Sequence, residues 1–403
     1  MRKVLWFLQL SSVRDGKFYP LSDSNYNFAK NMIIGINKNL NNDLDISVVL
    51  PANIDVSEEY EISEFFHKYN IGRVNAFRTS SVFGSRFDFD YDENLRLIKL
   101  YKPDIIFEHN PTHVRGWKTI AKELKSEAFI YTYFHWIDSP LFPKVDEDIS
   151  YWWRQYDGIL SADKVFFNSN YAISQIEDSL EASINFNFLT EKVDIVNKCF
   201  AVPPCYDRDI SEYALNNVGS DGIVFNHRLS SLGYYKDNFD NFIKMLSLFE
   251  QDYGYIPNVY FTNPSRKQQP LILGLSSESI CKLHFVELNE KEYYKLLGSD
   301  KVGIAPNCFL TSKGMWSIAT MEAGVLGNAV MMPEMYGYQE MADPTFAGFY
   351  PDFAKGYNTF TNLIRNENYR RDVAWQFGNY ATRFECKVVA KKFLDIIEND
   401  KTK

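Results

Sequence analysis

The chain has 403 residues, a formal net charge of −9 at pH 7, 45% hydrophobic residues and 24% charged residues. This composition excludes long disorder, and the negative charge excludes binding of nucleic acid through bulk positive charge, although it leaves room for a local basic groove. No apolar run approaches the ~18 residues of a transmembrane helix. The five cysteines form no CxxC pair, which favours a reduced, cytoplasmic protein without a zinc cluster.

In the first half, short apolar runs alternate with segments of helical period, which predicts an α/β sheet. Several predicted strands end in polar residues, including Glu108-His109-Asn110, His135 and Asn168-Ser169. Such residues line the crevice where parallel sheets bind ligands. The predicted strands are Val4–Leu10, Ile46–Leu50, Asp104–Glu108, Phe129–Phe134 and Lys164–Asn168, and the predicted helices are Asn25–Leu40, Gly116–Leu124 and Tyr171–Leu180.

A tandem proline pair, Pro203-Pro204, interrupts the pattern before a second α/β series. We therefore predict domains at 1–202 and 203–375, followed by a C-terminal helix within 376–403 that packs back toward the first domain. Asn289 and Glu292 form a helix cap pair. The predicted strands of this half are Gly222–Asn226, Asn258–Phe261, Leu283–Val286, Lys301–Ala305 and Ala329–Met332, and its helices are Asn238–Glu250, Glu290–Leu297 and Ile318–Gly324.

Two cations lie where a strand gives way to a helix. Asn226 and Arg228 follow an apolar strand, and Lys236 comes at the start of the next helix. Two cations and a helix N-terminus together favour a diphosphate site. The alternative is a strand end with a surface arginine and lysine.

A second candidate segment runs from a strand end through a Lys313-Gly314 turn to a short helix with Glu322. Glycine lets backbone N–H groups approach a ligand closely, and a glutamate at that depth can bind a ribose diol. The alternative is an exposed helix acid, although the neighbours Met321, Ala323 and Gly324 are predicted to be buried.

These motifs, taken in order, resemble GT-B glycosyltransferases. Asn-His-Arg…Lys-Asp-Asn, the Glu322-Ala-x-x-x-Gly helix and a strand ending in Pro333-Glu334 resemble the donor lobe of the retaining family four group, in particular its tRNA-queuosine mannosyltransferase-like branch. In the first half, Tyr133-Phe134-His135 and Phe167-Asn168-Ser169 are similar to that branch. The resemblance implies two Rossmann-like lobes with a cleft between them, an acceptor-side first lobe and a donor-binding second lobe.

The resemblance also implies the activity and the site residues. It implies a nucleotide-sugar-dependent transferase that retains anomeric configuration and needs no metal ion or other cofactor. His135 is the implied sugar-contacting residue, and Asp138 is a further candidate on the acceptor side. The nucleotide sugar is expected to be a UDP-sugar, and its implied binding residues are Asn226, Arg228, Lys236, Lys313, Gly314, Met315, Trp316 and Glu322.

The chain departs from this family at two positions. The family's Glu-x7-Glu pair would place its first glutamate at Gly314, so we expect the identity or orientation of the donor sugar to differ here. The family's glycine-rich loop after the first strand is replaced by a segment containing Arg14, Asp15, Gly16 and Lys17. Arg14 and Lys17 are therefore candidates for a phosphate or acceptor role.

A basic and aromatic stretch over residues 65–87 contains Arg73, Arg78 and Arg86 and no acidic residue. This pattern suits a nucleic-acid backbone with bases stacked nearby, or else a solvated loop. Because the branch that the chain resembles modifies nucleic acid, we predict transfer of glucose or a pentose such as arabinose to hydroxymethylated cytosine in phage DNA. The alternatives are a surface polysaccharide, a lipid-linked sugar or a modified tRNA base as acceptor, and a non-catalytic sugar-nucleotide-binding protein.

Overall fold

The computed structural model describes most of the chain and divides it into two compact units. The described residues are 1–10, 12–39, 44–76, 89–135, 149–183, 195–213, 219–227, 234–262, 275–309 and 316–398. The first unit comprises residues 1–205 and 386–403, and the second comprises residues 206–385. The boundary predicted after residue 202 lies close to this division, and the last helix is grouped with the first unit.

The first unit is built on a parallel seven-stranded sheet in the order β5-β4-β1-β6-β7-β8-β9. A two-stranded antiparallel hairpin, β2-β3, follows the first strand. The strands are β1 (Arg2–Phe7), β2 (Val13–Arg14), β3 (Lys17–Phe18), β4 (Leu44–Pro51), β5 (Gly72–Ala76), β6 (Ile105–Glu108), β7 (Phe129–Phe134), β8 (Lys164–Phe167) and β9 (Cys199–Ala201).

Helices cover both faces of this sheet, which explains why its strands are apolar almost throughout. In β1, Val4 and Trp6 belong to one hydrophobic core, while Leu5 and Phe7 belong to the core on the opposite face. The helices are α1 (Ser24–Lys38), α2 (Val56–Lys68), α3 (Tyr91–Tyr101), α4 (Val114–Leu124), α5 (Ile149–Ser161), α6 (Asn170–Ser183) and, from the end of the chain, α13 (Cys386–Glu398).

The last helix, α13, completes the core beneath α1. Val389 and Phe393 are buried in the core that contains Trp6. The two helices approach so closely at Gly35 that a Cβ atom there would clash with the backbone carbonyl of Cys386. The Lys164 ammonium also donates a hydrogen bond to the carbonyl of Ile396. Residues from both ends of the sequence therefore build one core.

The second unit has its own parallel six-stranded sheet, in the order β12-β11-β10-β13-β14-β15. Its strands are β10 (Ile223–Phe225), β11 (Val259–Phe261), β12 (Leu283–Phe285), β13 (Ile304–Pro306), β14 (Ala329–Pro333) and β15 (Phe349–Tyr350). Its helices are α7 (Tyr234–Tyr253), α8 (Ser277–Ile280), α9 (Glu290–Leu297), α10 (Ile318–Val325), α11 (Phe353–Arg365) and α12 (Glu367–Ala381).

Local sequence signals account for several boundaries in this unit. Asn289 and Glu292 form the predicted capping box at the start of α9, each bonding the backbone N–H of the other. Ser317 caps α10 by accepting a hydrogen bond from the amide of Thr320. The predicted cap pair is confirmed, and these caps hold the helices that carry the site residues described below.

Two further observations concern the chain as a whole. Within the described ranges, no helix is both long enough and apolar enough to cross a membrane. None of the five cysteines, all of which lie in these ranges, forms a disulfide.

Candidate functional site

In the first unit, three strands that are neighbours in the sheet bring Trp6, His109 and His135 together. Trp6 lies near the carboxyl end of β1, and the histidines directly follow β6 and β7. The indole Nε1 of Trp6 lies 2.7 Å from Nε2 of His109. Nδ1 of His109 lies 2.9 Å from Nε2 of His135. The three rings thus form a continuous hydrogen-bonded chain, which we call the ring relay.

Aromatic side chains enclose His135, the last member of the ring relay. Its ring centroid lies 4.7 Å from that of Tyr133 and 5.5 Å from that of Phe28, with the Phe28 ring edge-on. Burial among these rings lowers the pKa of His135 to about 3. Burial also holds the pKa of His109 well below its usual value, with the neighbouring His135 as the second cause. Both rings are therefore neutral near pH 7.

The next strand end fixes the backbone at His135. The Asn168 side-chain amide donates a 3.1 Å hydrogen bond to the carbonyl of His135. The Ser169 hydroxyl donates in turn to Oδ1 of Asn168 and accepts from the amide of Ala172 at the start of α6. The polar strand ends predicted from the sequence thus position His135 through its backbone as well as its ring.

Glu108 belongs to a separate network, because it points to the opposite face of the sheet from His109. Its buried carboxylate accepts 2.8 Å hydrogen bonds from the amide of Asn110 and from the indole of Trp117. This pattern ties β6 to α4 and satisfies a buried charge. We assign Glu108 a structural role.

In the second unit, two adjacent tyrosines hold the carboxylate of Glu322. The Tyr293 hydroxyl donates to Oε2 at 3.1 Å, and the Tyr294 hydroxyl donates to Oε1 at 3.2 Å. Glu322 lies on α10 and the tyrosines lie on α9. These two bonds, from adjacent residues of one helix, orient the carboxylate.

Asn226, which directly follows β10, extends this network. Its side-chain amide donates a 2.9 Å bond to the Tyr293 hydroxyl and a 2.8 Å bond to the carbonyl of Ala319. A hydroxyl that receives the Asn226 proton must direct its own proton elsewhere, here to Glu322. We call Asn226, Tyr293, Tyr294 and Glu322 the carboxylate network.

The electrostatics of the carboxylate network keep both tyrosines protonated. Burial raises the pKa of each hydroxyl well above its usual value, and the charge of Glu322 raises it further. The neighbours of Glu322 are buried as predicted, with Met321 and Ala323 fully enclosed. Glu322 itself remains partly exposed. The network therefore presents a fixed carboxylate at the surface of the α/β unit.

The remaining predicted residues of the second unit are only partly described. Trp316 is buried and packs edge-on against Phe384, with ring centroids 4.4 Å apart. Lys236 lies in the first turn of α7, but its side chain is not described. Arg228, Lys313, Gly314 and Met315 lie outside the described residues.

Of the candidate acceptor residues of the first unit, Lys17 and Arg73 have described side chains, and each pairs with an acidic residue at the start of α2. Lys17 is exposed and pairs with Asp55 at 3.2 Å. Arg73 makes a bidentate pair with Glu59, at 2.6 and 2.9 Å, and its Nε donates to Oδ1 of Asn75. Arg14 lies in β2 without a described side chain, and Asp138, Arg78 and Arg86 lie outside the described residues.

The segment that replaces the glycine-rich loop is a tight hairpin. Asp15 and Gly16 both have positive φ, 50° and 74°, at the two-residue turn between β2 and β3. The Asp-Gly pair is a strong signal for a turn of this kind. The departure from the family's glycine-rich loop was predicted from the sequence, whereas the hairpin was not.

Four residues of these networks were not predicted as site residues: Trp6, His109, Tyr293 and Tyr294. His109 was predicted only as one of the polar residues at the strand ends. Trp6 lies 103 positions before its partner His109, and Tyr293 lies 29 positions before Glu322. Nothing in the local spacing identifies such pairs. Among the described residues, no group of three or more His, Cys, Asp or Glu side chains is arranged to hold a metal ion.

No protein-family model matches the chain. No curated protein matches it either.

Solved structures, in contrast, match nearly the whole length. HepE of Anabaena in complex with UDP has a TM-score of 0.67 at 11% identity, covering 99% of this chain and 100% of that one. Sucrose-phosphate synthase from Thermosynechococcus elongatus has a TM-score of 0.67 at 11% identity, covering 100% of both chains. The α,α-trehalose-phosphate synthase (UDP-forming) from Burkholderia vietnamiensis has a TM-score of 0.63 at 12% identity, covering 99% and 100%.

These likenesses concern the fold, because the identities are low. Both parallel sheets, with their flanking helices, agree with the architecture predicted from the sequence. The chain has the GT-B fold, an α/β architecture with two Rossmann-like units.

Proposed function

We propose that this protein is a glycosyltransferase that uses a nucleotide sugar, with UDP as the nucleotide. The observation that carries the proposal is the carboxylate network, which fixes Glu322 at the position where the resemblance implies a ribose-binding glutamate. The fold supports it, since HepE of Anabaena has been solved with UDP and with UDP-glucose.

In the proposed reaction, the bond between the anomeric carbon and the diphosphate breaks, and its electron pair goes to the departing oxygen. Negative charge therefore builds on the nucleoside diphosphate. Arg228, Lys236 and backbone amides near residues 314–316 are the proposed groups that stabilise it. The anomeric carbon forms a new bond to an acceptor hydroxyl, whose proton is released. Retention of configuration rests on the family resemblance.

Glu322 and His135 receive different roles in this proposal. The Glu322 carboxylate accepts hydrogen bonds from the ribose hydroxyls, because two phenols already hold it in a fixed orientation. His135 contacts a sugar hydroxyl through its ring, which is neutral near pH 7. Asp138 stays a proposed acceptor-side residue on the family resemblance alone.

The transferase activity is tested by incubating the protein with UDP-, GDP- and ADP-sugars and following nucleotide release. We expect UDP release from a UDP-sugar and saturation-transfer signals on the ribose protons of UDP. Failure to bind any of the three nucleotides would contradict the proposal. Binding of UDP without release or transfer to any acceptor would favour the non-catalytic sugar-nucleotide-binding protein, a candidate motivated by Gly314 in place of the family's glutamate.

For the acceptor, we propose hydroxymethylated cytosine in DNA, with glucose or arabinose as the sugar. The base would be flipped out of the duplex so that its hydroxymethyl group reaches the donor. The support is the resemblance to a branch that modifies nucleic acid, together with the basic stretch over residues 65–87. To contact a phosphate, Arg73 would have to exchange its bidentate bond with Glu59 for one with DNA.

The acceptor is tested with two DNA duplexes of one sequence, one containing 5-hydroxymethylcytosine and one containing cytosine. A mass gain of one sugar on the first duplex alone is expected. UDP release without any mass gain on DNA would eliminate this acceptor. The same assay with modified tRNA, lipid-linked sugar and polysaccharide then identifies the alternative.

A further inference from the structure

The direction of the hydrogen bonds in the ring relay follows from its first member. An indole N–H can only donate a hydrogen bond. Trp6 therefore donates its Nε1 proton to Nε2 of His109 across 2.7 Å, and that nitrogen must carry a lone pair. In a neutral imidazole the other nitrogen then holds the proton. His109 is thus protonated on Nδ1.

The same reasoning extends to the second histidine. The proton on Nδ1 of His109 points to Nε2 of His135, 2.9 Å away, so this second nitrogen also accepts. A neutral His135 must then carry its own proton on Nδ1. The relay cannot run in reverse, because that would require the indole to accept. One tryptophan therefore sets the tautomers of two histidines.

The packing around His109 holds its ring in this orientation. Its ring is 1% exposed and lies between Trp6, Phe28 and Phe107. A charged His109 would place an N–H group against the indole N–H, and burial opposes that charge as well. The Asn168 bond to the carbonyl of His135 fixes the backbone at the far end of the relay.

We infer that His109 and Trp6 are positioning residues that hold His135 as a neutral Nδ1–H hydrogen-bond donor, and not as a general base. The Nε2 lone pair of His135 is engaged by His109, so that nitrogen cannot remove a proton from an acceptor hydroxyl. Any sugar oxygen that His135 binds through its ring receives the Nδ1 proton. This inference rests on the proposed function and adds the chemical role of one of its residues.

The tautomers can be read directly by long-range 1H–15N correlation spectroscopy on protein with labelled histidine. We expect His109 and His135 in the wild-type protein to show the Nδ1–H pattern. Trp6→Phe and His109→Leu should each allow the Nε2–H form of His135 to appear. A wild-type His135 protonated on Nε2 would overturn the inference.

Turnover separates a positioning role from a merely structural one. His109→Leu should lower kcat by about 10- to 100-fold, because it leaves the buried Nε2 of His135 without this hydrogen-bond partner, with little change in KM for the nucleotide sugar. His109→Gln should restore most of the activity, since its amide can accept from Trp6 and donate to His135. A His109→Leu variant with kcat within threefold of wild type, or a His109→Gln variant that fails to restore it, would overturn the inference.

Phe166→Leu is the matched control for lost core packing. Phe166 lies in the same core and packs against Phe393, with ring centroids 5.1 Å apart, and is not part of the relay. It should lower thermal stability without changing the His135 tautomer or kcat; a changed tautomer in this control would overturn the inference. A wild-type protein with the expected tautomers but no nucleotide-sugar turnover would instead overturn the proposed function, so the two failures are distinguishable.

Discussion

The two units hold their candidate residues by different means. In the first unit, neutral rings pass hydrogen bonds from Trp6 to His135, and the result is a choice of which nitrogen carries a proton. In the second unit, two phenols bind the Glu322 carboxylate, and the result is a fixed orientation of a negative charge. The first arrangement makes His135 a hydrogen-bond donor, and the second makes Glu322 a hydrogen-bond acceptor. Similar α/β scaffolds thus present opposite hydrogen-bonding partners.

The largest effect is expected from Arg228→Ala, which tests whether the second unit binds the leaving diphosphate. Loss of one preorganised charge partner should cost about 2–4 kcal/mol of transition-state stabilisation, measured as a fall in kcat/KM for the UDP-sugar. Arg371→Ala is the control, because Arg371 pairs with Glu367 on an exposed helix face. Activity that survives Arg228→Ala within a few-fold would refute the assigned donor site.

Acid should destabilise both units, and the first more than the second. Burial sets the pKa of His135 at about 3 and that of His227, in the second unit, at about 4, against an ordinary value of 6.5. Between these folded-state pKa values and the ordinary value, the unfolded chain binds more protons than the folded chain. The free energy of unfolding therefore falls as the pH drops below about 6.5. Each histidine contributes at most about 1.4 kcal/mol per pH unit.

The first unit carries His109 as a second buried ring whose pKa is lowered, so its loss of stability should be steeper. Hydrogen exchange measured by mass spectrometry between pH 7 and pH 4.5, corrected for intrinsic rates, resolves the two units. His227→Gln should make the stability of the second unit less dependent on pH and should leave that of the first unit unchanged. Equal responses of the two units in the wild-type protein would contradict this prediction.

Glu322→Gln tests the charged acceptor itself. The amide keeps the size of the side chain but replaces one acceptor oxygen by a donor, so it should weaken UDP binding by about 1.5–3 kcal/mol, measured by calorimetry. Glu278→Gln, an exposed acid in the same unit, is the matched control. If UDP binds equally well to the Glu322 variant, the ribose contact is wrong.

Tyr294→Phe should have the smallest effect. It removes one of the two phenol bonds to Glu322 while keeping the ring, so UDP affinity should fall by about 0.5–1.5 kcal/mol. Removal of the Tyr293 hydroxyl should lower UDP affinity more, because it also leaves the Asn226 amide without one acceptor. If Tyr294→Phe weakens UDP binding more than Glu322→Gln does, Tyr294 does not act by orienting the Glu322 carboxylate.

The sequence predicted what local patterns encode. The strand Phe129–Phe134 and the helix Glu290–Leu297 have the predicted bounds, because an apolar run and a capping box mark them. The edge strands Gly72–Ala76 and Cys199–Ala201 were not predicted. The first mixes Gly, Arg and Asn with its apolar residues, and the second has only three residues before a proline pair.

The residues of the candidate site also differ in whether local sequence patterns predicted them. The positions of His135 and Glu322 were predicted from a strand end, a helix motif and a family resemblance. Trp6, His109, Tyr293 and Tyr294, which hold these two residues, were not predicted as site residues, because hydrogen bonds between distant segments depend on how the sheet orders its strands. The sheet order β1-β6-β7 is what brings Trp6 to His109, and periodicity along the chain carries no information about that order.

The close crossing of α1 and α13 at Gly35 bears on how the polypeptide matures during synthesis. The second unit is continuous, from residue 206 to residue 385, so all of it is translated before α13. The first unit begins to be translated earlier, yet the helix that closes its core is made after the whole second unit. Since domains generally fold as units, the first unit should reach its native state after the second. A chain truncated before Cys386 would then contain the complete second unit and a first unit without the helix that closes its core.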